Sequence, residues 1–264
     1  MTVTSLARSR DYLAGQRRTI IARSVAGSLA GAVPVPFLDD WATSLVLGSA
    51  YRRIAAAHHI DLDDAARRTL VHGTTPPPSL AELAASGIML RLAGRAARRM
   101  LVALATIDRA RSAARTFVTM TLFDHYCARL HTGLAIDAAT ALALRDEIGR
   151  AIDQTPGALV LHPFRRGALA AARATLRAPL ELADLATRGA VRRLLARKSS
   201  VTDAEAVDAL DQAVETALAA KTGFLSRTVA AVEVQLSAEA NPFLDAVLDA
   251  FDRRWRARVA VGGR

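Results

Sequence analysis

Cysteine occurs once in the 264 residues, at Cys127, so the chain can form no internal disulfide and no multi-cysteine metal site. A single thiol fits a reducing compartment. Lysine is almost missing: of 35 basic residues only Lys198 and Lys221 are lysine, which leaves 33 arginines. Aromatic residues make up 5%, so Ala, Leu and Val carry most of the 52% apolar fraction. Alternating runs rich in Thr, Tyr and Ile, the signature of strands, are almost absent. No uncharged apolar run reaches the roughly 18 residues of an ordinary bilayer span. The longest are Ser24–Leu38, fifteen residues, and Trp41–Tyr51, eleven, separated by Asp39 and Asp40. These are long enough to lie in a membrane interface, or to form a shallow hairpin.

Familiar chemical motifs are missing as well. There is no GxGxxG following a strand, no phosphate loop ending in GK[ST] and no GxSxG elbow, so the nucleotide and hydrolase sites that depend on them have no footing. A non-enzymatic chain without metal or cofactor is the resulting expectation.

What is present favours helix. Ala, Leu and Arg rank among the strongest helix formers, and proline and capping residues punctuate the chain. The expected fold is all-α, a multi-helix bundle of antiparallel helical hairpins with little or no β-sheet. The first helix is expected over Ser5–Val33, with small residues spaced by four at Ala22, Ala26 and Ala30 beside Gly27 and Gly31, a pattern that permits close helix approach. Pro34-Val35-Pro36 breaks it, and Asp39 or Asp40 caps a second helix over Asp40–His59. A short helix over Leu62–Val71 follows, with Asp61 as its cap. Pro76-Pro77-Pro78 marks a linker, and separates an N-terminal hairpin region, 1–75, from a helical region, 76–264. The second region reads as helix over Leu80–His131, with a bend expected within Ala105–Arg115, then over Asp137–Gln154, from His162 to about Arg197, from Thr202 through Leu236, and over Pro242–Arg258 behind an Asn241-Pro242 start. Ala158–Leu161 is the one stretch suited to a short strand.

Histidine and carboxylate clusters are the candidate chemistry. His58-His59 with Asp61, Asp63 and Asp64 has metal-binding residue types, but adjacent helical histidines diverge by about 100°, and a helix end followed by an acidic cap explains them. Asp124, His125, Cys127 and His131 have the residue types of a nucleophile or ligand cluster, yet His125 and Cys127 occupy different helix faces.

The remaining signal is charge. The net charge is +10 and the pI about 11.1. GC-rich codon usage alone produces many Ala and Arg codons, but the guanidinium also matches the geometry of phosphate oxygens. Arg91, Arg95, Arg98 and Arg99 form one basic group, Arg188, Arg192, Arg193, Arg197 and Lys198 a second, and Arg253, Arg254, Arg256 and Arg258 a third. Anionic lipid, an acidic protein and nucleic acid all suit such a surface. Nucleic acid is the weakest match, since there is no helix-turn-helix, zinc finger or aromatic platform. Arg17-Arg18-Thr19-Ile20-Ile21, with Ala30-Gly31-Ala32 downstream, faintly resembles a twin-arginine export signal, but Arg23 interrupts its apolar region. A cytoplasmic location, peripheral at the inner membrane, is the expectation.

The stretch from Ala26 to Asp39, in which a small-residue helix runs into Pro34-Val35-Pro36-Phe37-Leu38-Asp39, is similar to the EcsC-like proteins and to the helical domain found beside bacterial Era-like GTPases. Tyr51-Arg52-Arg53-Ile54-Ala55 resembles the basic helix that follows the motif there. The resemblance covers about residues 20–70 and implies a helical, membrane-associated protein; it carries over no catalytic residue and no nucleotide site. On this basis Gly27, Gly31, Val33, Pro34, Val35, Pro36, Phe37, Leu38, Trp41 and Leu45 are the expected membrane- or partner-facing hairpin. Arg52, Arg53, Arg91, Arg95, Arg98 and Arg99 are expected near anionic headgroups. The function expected is peripheral association with an anionic membrane surface; the alternatives are a soluble helical scaffold that binds a protein partner and, third, a nucleic-acid-binding helical protein.

Overall fold

The computed structural model describes residues 11–30, 38–75, 101–159, 224–238 and 242–262, with the single residues Gln212 and Thr216. These form an all-α protein. Seven helices follow one another: α1 (Ala14–Ala30), entered through a 3-10 turn at Asp11–Leu13, α2 (Leu38–Ala57), α3 (Asp64–His72), α4 (Leu101–Arg129), α5 (Ala138–Gln154), α6 (Phe224–Ala238) and α7 (Pro242–Gly262). The strands β1 (Asp61–Leu62) and β2 (Ala135–Ile136) are two residues each and pair in parallel, Asp61 opposite Ala135 and Leu62 opposite Ile136.

Capping chemistry sets several boundaries. Asp137 accepts a hydrogen bond from the Thr140 amide at 2.7 Å and starts α5 at Ala138, where the sequence places it. Asp63, rather than Asp61, caps α3, accepting from the Ala66 amide at 2.6 Å. Asp61 and Leu62 are thereby freed from the helix and become β1. Gly73 ends α3 with φ at 68°, and its amide donates to the Thr69 carbonyl at 2.8 Å; a left-handed backbone suits glycine at this position. Asp39 and Asp40 fall within α2 instead of before it. α4 is one unbroken helix through Ala105–Arg115. The short strand expected at Ala158–Leu161 does not form at Ala158 and Leu159, and its other two residues lie outside the described ones.

α4 is the hub, packing against α1, α2, α5 and α7, while α3 packs on α5 and α6 on α1. One cluster of buried side chains extends from Leu13 to Trp255 and draws on helices from both sides of the Pro76–Pro78 linker. Ile20, Ile21, Leu122, Phe123, Leu144, Leu248 and Phe251 are all at most 2% exposed, and full burial of such a side chain is worth about 1.5–3 kcal/mol. Aromatic pairs tie the elements together: Tyr51 meets Phe123 edge-on at 4.8 Å and Tyr126 meets Trp255 at 4.9 Å. Gly27 is buried where α1 meets α2; a Cβ there would sit 3.5 Å from Val46 Cγ1. Its role is close helix contact, so this member of the expected hairpin does not face outward. No described helix is long and apolar enough to cross a membrane.

Candidate functional site

Two groups of polar side chains stand out against the apolar core. The first is buried and surrounds α4. Asp124 and His125 are neighbours on that helix and therefore point in different directions. Asp124 Oδ1 lies 2.6 Å from Nε2 of His58, in the turn after α2. His125 Nε2 lies 2.6 Å from Asp252 Oδ1 on α7, and its Nδ1 bonds the hydroxyl of Tyr12. Arg129, one turn further along α4, covers the Tyr12 ring at 4.6 Å. Asp124 is fully buried and its Oδ2 has no hydrogen-bond partner. Burial pushes its carboxyl above the usual carboxylate range, and the bond and charge of His58, with the charge of His125, only partly oppose this. The array joins the chain's first described residues, the end of α2, the last turns of α4, and α7. It is a packed internal clamp, since His125 is 5% exposed and Asp124 0%.

The second group is open to solvent. Glu147 on α5 is buried to 4%, and three arginines converge on it. Arg254 Nε donates to its Oε2 at 2.7 Å, Arg258 Nη1 to its Oε1 at 3.2 Å, and Arg150 Nη1 lies 3.8 Å from Oε1. Arg254 Nη1 is also fixed by Gln154 Oε1 at 2.7 Å. Together Glu147, Arg253, Arg254, Ala257, Arg258 and Val261 line an open groove of about 690 Å³. The helical period explains the grouping: positions 253, 254, 257, 258 and 261 fall on one flank of α7. On the other side of α7, Asp252 Oδ2 lies 3.7 Å from Arg256. Val259 and Val261 are 59% and 76% exposed.

The chain matches no family model, no curated protein and no solved structure.

Much of what the sequence grouped lies outside the described residues. Of the expected hairpin, Gly31, Val33, Pro34, Val35, Pro36 and Phe37 lie outside the described residues. Leu38, Trp41 and Leu45 belong to α2. Arg52 is half-buried and Arg53 exposed on the same helix, while Arg91, Arg95, Arg98 and Arg99 lie outside the described residues. The acidic patch after His58-His59 is divided among separate tasks. Asp61 is in β1, Asp63 caps α3 and Asp64 holds Arg67 at 3.0 Å. Among the described residues no group of three or more His, Cys, Asp or Glu is placed to hold a metal ion. His131 pairs with Tyr126 at 3.1 Å, away from His125, and burial pushes the Cys127 thiol well up.

Sequence reasoning missed two things. It placed His125 and Cys127 on different helix faces and stopped there, whereas Asp124 and His125 each meet a partner on a distant element. It also did not single out Glu147. The one available signal was the third arginine group on α7.

Proposed function

We propose that this chain is a non-enzymatic helical module that associates peripherally with an anionic membrane surface. The observation that carries this reading is the flank of α7 on which Arg253 and Arg258 are exposed together with Val261. Exposed cations beside exposed apolar side chains fit the two layers of a bilayer surface, headgroup phosphate and acyl boundary. Each basic side chain near an anionic leaflet adds about 1 kcal/mol, decaying over a Debye length. The net charge of +10 draws the whole molecule the same way. The resemblance of residues 20–70 to membrane-associated helical families supports the reading from a separate part of the chain.

Flotation with phosphatidylcholine vesicles and with mixed phosphatidylcholine–phosphatidylglycerol vesicles tests it. The expected result is binding to the mixed vesicles alone, weakened by salt and by Arg253→Glu. Flotation of the parent with neither vesicle type would remove the membrane reading and leave the soluble scaffold, and equal flotation with both would remove its anionic preference.

A further inference from the structure

We propose that the groove between α5 and α7 is a receiving site for the phosphomonoester headgroup of an anionic lipid, with Glu147 as the residue that orients its arginines. The inference rests on the membrane-surface reading and gives it a specific ligand.

The first argument is charge. Arg150, Arg254 and Arg258 share the single Glu147 carboxylate. Among the residues that line the groove, the one negative charge of Glu147 faces the three positive ones of Arg253, Arg254 and Arg258, which leaves two uncompensated. A phosphomonoester carries a charge of about −1.5 to −2 near neutral pH and presents three strong acceptor oxygens. A phosphodiester headgroup carries about one charge and has fewer free oxygens, so it fits the groove less well.

The second argument is orientation. An exposed arginine loses side-chain entropy when it takes up a ligand. Here Arg254 is held at two atoms, Nε by Glu147 and Nη1 by Gln154, which leaves Nη2 to donate. Arg258 is held through Nη1 alone, leaving Nε and Nη2. Glu147 can fix both because its own side chain is 5% exposed and so has little freedom to move. The donors are thus arranged before the ligand arrives. Guanidinium groups suit this purpose because their planar forks match phosphate oxygens.

The third argument is the apolar rim. Ala257 and Val261 line the groove beside the arginines, and Val261 is 76% exposed. A free phosphate ion has no use for that rim, whereas the glycerol and first acyl carbons of a lipid would cover it.

Substitution of Glu147 by Gln separates this site from diffuse attraction, because it raises the net charge by one. A surface that works by charge alone will bind every anionic ligand more tightly in Glu147→Gln. An arginine site oriented by Glu147 will bind more weakly, by about tenfold for one lost charge-assisted constraint. The probe is dihexanoyl phosphatidic acid, kept monomeric in solution and titrated into the full chain by calorimetry, with dihexanoyl phosphatidylglycerol and inorganic phosphate as comparisons. The expected order of affinity is phosphatidic acid, then phosphatidylglycerol, then phosphate, with the first weakened in Glu147→Gln and in Arg258→Gln. Thermal melts establish that the variants are folded; if Glu147→Gln is not, Arg258→Gln and Arg253→Gln decide the matter. Absence of saturable phosphatidic acid binding by the parent, equal affinity for phosphatidylglycerol, or tighter binding by Glu147→Gln would each overturn the site. Vesicle flotation is read separately. Binding to mixed vesicles without phosphatidic acid uptake would refute the groove but not the membrane reading, and soluble uptake without vesicle binding would do the reverse.

Discussion

His125 on α4 and Asp252 on α7 are 127 residues apart in the chain, and their Nε2 and Oδ1 atoms are 2.6 Å apart. The bond fastens the C-terminal helix to the hub of the bundle, and the Tyr12 hydroxyl on the other ring nitrogen fastens the first described residues to the same side chain. The His125 side chain is 7% exposed and that of Asp252 24%, so water can reach the bond only from the Asp252 side. Asp252→Asn keeps the shape and removes the charge. It should cost about 1.5–3 kcal/mol, the range for hydrogen bonds to charged groups. Urea unfolding of parent and variant measures this directly, and a double-mutant cycle with Tyr12→Phe reports whether the two bonds act together. An Asp252→Asn variant as stable as the parent would show that the charge of Asp252 contributes nothing to the clamp.

Asp124 gives the stability a definite pH signature. Its folded carboxyl is pushed above the ordinary value by burial. Folding therefore favours the protonated form, and this contribution is present below the unfolded value, about pH 4, and lost as pH rises through the raised folded one. Asp124→Asn removes the titration. The stability of the parent relative to the variant should fall as pH rises from about 4 towards neutrality. Unfolding free energies measured across that range should show a difference with this slope, and a flat difference would contradict the assignment.

Gly73 should resist substitution. With φ at 68° and a Cβ that would come within 3.1 Å of Arg145 Nε, Gly73→Ala must strain the backbone and displace that guanidinium. The strain alone is about 1–2 kcal/mol. Gly149, whose Cβ would meet nothing within 4 Å, lies inside α5. Gly149→Ala should stabilise by about 0.5–1 kcal/mol. Thermal melts of the two variants should move in opposite directions.

Cys127 should be inert while the protein is folded. It is 8% exposed, and burial, reinforced by the neighbouring Asp124, pushes the thiol well above its ordinary value. Only the thiolate reacts readily. A chromogenic disulfide reagent should register almost no thiol at neutral pH in buffer and one per chain in denaturant; rapid reaction of the native protein would show that the site opens.

The fold class was legible because helix propensity and capping are local. Asp137 and Pro242 mark their helices correctly since a cap needs only residues within a turn of it. The misplacement of the cap from Asp63 to Asp61 has a non-local cause: Asp61 and Leu62 are occupied by pairing with Ala135 and Ile136, a register no local pattern announces. The clamp was hidden for the same reason. Asp124 and His125 diverge around α4, as helical geometry requires, and their partners lie 66 and 127 residues away. Arg23 looked like an interruption of an apolar run and proves to be 1% exposed, because composition shows that a charge is present but not which way it faces. The groove was half legible: the arginines of α7 are visible as a cluster, but Glu147, which organises them, is one of many helical acids until α5 and α7 are seen together.

Arg145 on α5 donates from Nη1 to the carbonyl oxygens of Leu70 and Val71, at 2.6 and 2.5 Å, in the last turn of α3. A helix of nine residues has too few internal bonds to persist alone in water, and the carbonyls that would fray first are held here by a side chain made 75 residues later. α3 also packs on α2, but its last carbonyls are held only once α5 has emerged. In the finished molecule its amide protons should exchange with solvent at the rate set by detachment of α5, making this short segment a sensitive gauge of how often the bundle comes apart.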